Sequence, residues 1–85
     1  MTKAEKKAKQ IIECNIDALF YLYDRWNDKS KHDGADAYEA VIQWLIGRPV
    51  QLITRPWGFR FEVDGEQFVL MMNSDLDCLE LHQQC

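Results

Sequence analysis

Eighty-five residues with 47% hydrophobic and 12% aromatic content suffice for one domain but not two, and are too apolar for a disordered chain. Three cysteines without framework spacing and a charged start, Met1 to Gln10, argue against a disulfide scaffold or secretory leader and for a reducing, cytoplasmic setting. The net charge is -4, and only residues 1–9 and 48–60 are net positive; this disfavours a phosphate-neutralising nucleic-acid binder, and no apolar run reaches the roughly 18 residues of a membrane span.

Thr2 and Glu5 form a capping-box pattern that predicts a helix starting at residue 2. Ala8, Ile12, Ile16, Leu19, Tyr23 and Trp26 then recur at steps of three or four, widened by Ile11, Phe20 and Leu22, so the helix is expected to span 2–27. The polar run from Asp28 to Gly34 reads as a loop. A second helix is expected over 35–46, with Asp36 and Glu39 as its cap and Tyr38, Val41, Ile42 and Leu45 as its apolar face. Gly47 and Pro49 close it.

From Val50 the period changes to two, predicting strands over 50–54, 59–63 and 66–72. Arg55, Pro56, Trp57 and Gly58 suit a turn between the first two. Asp64 and Gly65 suit a two-residue type I′ hairpin loop, which sets Val63 opposite Glu66, Phe61 opposite Phe68 and Phe59 opposite Leu70. In the last segment Ser74 and Asp77 argue for a helix cap, whereas Leu79, Glu80, Leu81 and His82 alternate like a strand; a short helix over 74–83 is the favoured reading.

The expected fold is therefore a single α+β domain, residues 1–85: two N-terminal helices, a three-stranded antiparallel β-meander and a short C-terminal helix, in the order α-α-β-β-β-α. From Ala35 onward this order resembles that of double-stranded-RNA-binding domains, although no basic stretch opens the last segment, where such domains grip phosphate.

Catalytic motifs are missing: there is no Gly-rich phosphate loop, no Gly-flanked serine elbow and no His-Glu-x-x-His pair, so no enzyme and no cofactor are expected. Cys14 could pair with His32 or His82, but nothing local activates it. On a helix Cys78, His82 and Cys85 would share one face, with Cys14 a conceivable fourth ligand; terminal placement and the lack of close cysteine pairs favour a buried Cys78 and no metal.

Three surface groups invite a partner. Arg48, Arg55, Trp57 and Arg60 place three of the four arginines and a turn-borne indole between positions 48 and 60, either the residue types of a binding hot spot or an indole folded back on the sheet with the arginines paired to Glu62 and neighbouring acids. Glu13, Asp17, Tyr21, Asp24 and Asp28 fall along one stripe of the first helix, either a solvated face or an acidic ridge for a basic groove. Lys3, Lys6, Lys7 and Lys9 crowd that helix's start, where positive charge opposes the helix dipole, as a solubilising end or as a contact for an acidic partner.

The expected function is a small non-enzymatic protein-interaction module, an inhibitor or accessory factor that occupies another protein or a protein-nucleic acid complex. Size and charge fit a mobile-element protein that blocks a host defence or host enzyme. The alternative is a nucleic-acid-binding module using the Arg and Trp patch with the lysine-rich start. A homodimer is a further candidate assembly, and a membrane partner is not expected.

Overall fold

The Thr2 hydroxyl accepts the Glu5 N–H at 3.1 Å and so starts the first helix, as the capping-box spacing implies. The computed structural model describes residues 2–28 and 34–84, and the Asp28 to Gly34 loop therefore lies mostly outside the described residues. The first helical segment is broken once. Helix α1 runs Lys3–Cys14 and α2 runs Ile16–Asn27, separated by Asn15, whose side-chain amide donates to the Ile11 carbonyl at 2.8 Å. That local bond competes with helical continuation, which is why one expected helix over 2–27 is two.

Helix α3 spans Ala35–Ile46, the expected bounds, and ends on Gly47 in the left-handed conformation. Its cap differs from expectation. Gly34 is the N-cap and no side chain caps it; the Glu39 carboxylate instead accepts the Leu52 N–H at 3.3 Å.

Four strands follow: β1 Val50–Thr54, β2 Trp57–Val63, β3 Glu66–Asn73 and β4 Cys78–Gln84, antiparallel in the spatial order β1-β2-β3-β4. The expected three-stranded meander with a C-terminal helix is thus corrected to three helices and a four-stranded sheet, α-α-α-β-β-β-β. The likeness in order to double-stranded-RNA-binding domains ends there, since a strand stands where those domains carry a helix. The misleading signal was Ser74 with Asp77. Asn73 makes the turn, its Oδ1 accepting the N–H groups of Asp75 and Leu76 at 3.1 and 3.3 Å, and Asp77 adopts a positive φ of 50°. The alternation of Leu79, Glu80, Leu81 and His82 was the informative pattern.

The Asp64–Gly65 turn has positive φ at both positions, and the register is the expected one, Val63 to Glu66, Phe61 to Phe68 and Phe59 to Leu70. Strand β2 starts two residues earlier than expected, because Arg55 and Pro56 alone make the turn and Trp57 pairs with Thr54.

Period two sends Trp57, Phe59, Phe61 and Val63 to the inner face beside Phe68, Leu70 and Met72, all of them buried. Ala4, Ala8 and Ile12 of α1, Leu19 and Leu22 of α2, and Ile42 and Ile46 of α3 complete one core. Helix α1 packs on β2, where Ala4 and Ala8 leave room for close approach, and α3 packs on β1. At Gly58 a methyl group would collide with the Leu70 carbonyl oxygen, so this position admits only glycine.

Candidate functional site

Trp57 is 3% exposed, against the expectation that a turn-borne indole stands clear of the interior. Its ring meets Tyr23 edge to face at a centroid distance of 5.6 Å and Phe59 at 6.4 Å. Its Nε1 is buried without a hydrogen-bond partner among the described residues, so this indole is a packing element that offers neither ring nor donor at the surface. The physical reason is register: Trp57 is two residues from Phe59 in one strand, and both side chains point to the helices.

The arginines grouped by sequence are dispersed by the hairpin. Arg48 is half-buried just after α3 and faces Lys7, Gln10 and Cys14 across a shallow cavity of about 390 Å³. Arg55 is exposed in the turn at the far end of β1, seven residues and roughly 20 Å away along an extended strand. Arg60 projects from the outer sheet face, opposite Gln51 and Val69. With Trp57 buried and Arg48 and Arg55 at opposite ends of β1, the four side chains do not share one exposed patch.

The acidic stripe survives in part. Asp17, Tyr21, Asp24 and Asp28 are exposed along α2, whereas Glu13 belongs to α1 beyond the break at Asn15. Tyr21 is 60% exposed and is held by Arg25, whose Nη1 donates to the phenol oxygen at 3.1 Å and whose guanidinium carbon lies 5.7 Å from the ring centroid. The ridge is therefore an aromatic flanked by carboxylates with one arginine set into it. That hydrogen bond raises the pKa of Arg25.

Of the N-terminal lysines, Lys7 has an internal role. Its Nζ lies 2.9 Å from Asp64 Oδ2, tying α1 to the β2–β3 turn. The bond to Lys7, with lesser help from the charges of Lys7 and Arg48, holds the Asp64 carboxyl below the usual aspartate range.

The helix face that Cys78 and His82 were expected to share does not form, because both lie in β4. Cys78 and His82 lie four residues apart in a strand, roughly 13 Å, too far to share an ion, while His32 and Cys85 fall outside the described residues. Glu80 takes the His82 side chain at 3.3 Å and the Asn73 amide at 2.8 Å; these bonds, Asn73 first, lower its pKa. Among the described residues no group of three or more metal-binding side chains occurs, and no helix is long and apolar enough to cross a membrane.

Among the described residues the most exposed large apolar side chain lies outside the surfaces suggested by the sequence. Trp44 of α3 is 79% exposed, and Val41 beside it is 42% exposed, although it was assigned to the buried face. With the exposed Ala37 and Ala40 they form a stripe at helical spacing on the side away from β1. Only Asp36, Glu39 and Gln43 are polar in this helix, and an apolar residue on nearly every side is the signal that could have revealed it.

Compared with models of known families, with curated proteins and with solved structures, the chain matches none.

Proposed function

We propose that the chain is a small protein-interaction module that docks on another protein through the outer face of α3, with Trp44 as the side chain that enters the partner. The carrying observation is that Trp44 and Val41 stand in solvent on a helix whose opposite face, Ile42 and Ile46, is sealed against the sheet. A tryptophan gives large rigid contact area at small entropic cost, and an exposed one on a firmly seated helix is already oriented for association. The partner that fits is a protein with an apolar groove. The Asp17, Tyr21 and Asp24 ridge on α2 is a second surface, suited to basic side chains. Such a chain acts by covering what it binds, as an inhibitor or accessory factor does, and the free thiols of Cys14 and Cys78 suit an encounter in the cytosol.

The test is affinity capture from native lysate, followed by binding measurements with the identified protein. Trp44→Lys should release that protein, with at least about a hundredfold loss of affinity and no change in melting temperature. Neutralising Asp17 and Asp24 together should weaken binding less and flatten its salt dependence. Unchanged affinity for Trp44→Lys removes the reading.

A further inference from the structure

The two edges of the sheet are treated differently. Strand β1 is five residues long, lies between Pro49 and Pro56, and has its edge N–H at Leu52 taken by Glu39 of α3. The flanking prolines and the helix side chain on its edge are among the devices by which folds hinder the addition of another strand. Strand β4 is seven residues long, contains neither proline nor lysine, and pairs only with β3.

On the inner side, beside this edge, Leu79 and Leu81 are only half-buried. They line a groove of about 310 Å³ with Ile12, Ile16 and Leu70, and with Lys9 and Glu13 of α1, so apolar side chains continue to the margin of the sheet. On the outer side the edge carries Glu80 and His82.

We propose that β4 is a self-association edge, on which two copies pair antiparallel about a two-fold axis through Leu81 and join their sheets. A two-fold axis perpendicular to the sheet keeps the helices of both copies on one side and permits only residue-centred registers. Centring on Leu81 is the register that uses the whole strand, from Cys78 opposite the second copy's Gln84 to Gln84 opposite its Cys78. The same register sets Glu80 of each copy against His82 of the other, twice, whereas centring one residue earlier would stack Glu80 on Glu80. Leu81 meets its own copy on the axis and Leu79 meets Gln83, which extends the half-covered inner layer. Full strand length and the pairing of Glu80 with His82 in place of Glu80 with Glu80 thus select one arrangement, and the occupant they select is a second copy of this chain.

Sedimentation equilibrium of the full chain under reducing conditions, from micromolar to millimolar, tests this. The average mass should rise from the 10.0 kDa of one chain toward twice that value. His82→Glu, which opposes like charges across the axis, should weaken association at least about tenfold, and adding Glu80→Lys to it should restore association. Trp44→Lys should leave the pair intact, which separates this edge from the α3 surface. A mass of one chain at every concentration overturns the proposal, as does a pair indifferent to His82→Glu or one dispersed by Trp44→Lys.

Discussion

Two tryptophans of this chain stand in opposite surroundings, Trp57 at 3% exposure and Trp44 at 79%. Each sits two residues from a fully buried neighbour, Phe59 in one case and Ile42 in the other. In a strand two positions return a side chain to the same face; in a helix they carry it about 200° around the axis. The element decides the fate of the indole, and its hydrophobicity does not. Trp57 becomes core because its neighbour is core, and Trp44 becomes surface for the same reason.

Substitution of each to alanine is the most direct way to break this comparison. Trp57→Ala should cost about 4 kcal/mol in urea unfolding, a large share of the stability of so small a domain, because it empties the contacts with Tyr23 and Phe59. A loss under 1 kcal/mol would mean that the ring is dispensable to the core. Gly58→Ala, next to it, should cost about 3 kcal/mol by forcing β2 away from the Leu70 carbonyl. Trp44→Ala should change stability by less than about 0.5 kcal/mol, and acrylamide should quench Trp44 freely but Trp57 hardly at all in variants that retain one tryptophan.

A smaller effect sharpens the comparison along β2, which begins at Trp57 and leads into Asp64. Because Lys7 lowers the Asp64 pKa in the folded chain, this contribution is present above the ordinary aspartate pKa and is lost as pH falls through the lowered folded value. Carboxyl NMR titration should show Asp64 protonating at lower pH than a free aspartate, and Lys7→Met should move it back up. The α1 contact at that turn should loosen in acid while the Trp57 end stays packed.

Much of the fold was legible because its signals were local and of one kind. The cap at Thr2, the α3 bounds and the register across Asp64–Gly65 each followed from spacing and turn chemistry. The misses came where two local signals competed. Ser74 with Asp77 imitated a helix cap while Asn73 made the turn, and Asn15 turned its amide onto a helix that periodicity alone would have continued. The site was less legible. Positions 48 to 60 look like one cluster in sequence, yet a hairpin sends neighbouring residues to opposite faces and opposite ends. Glu39 could not be assigned to β1 from sequence, since it reaches a residue thirteen positions away across the packing of helix on sheet.

That carboxylate on Leu52 has a further result. A sheet open at both margins can add units without limit and grow into a fibril, whereas one obstructed along β1 accepts a strand more readily at β4. A side chain of α3 thus opposes polymerisation by occupying a backbone donor that a further strand would need.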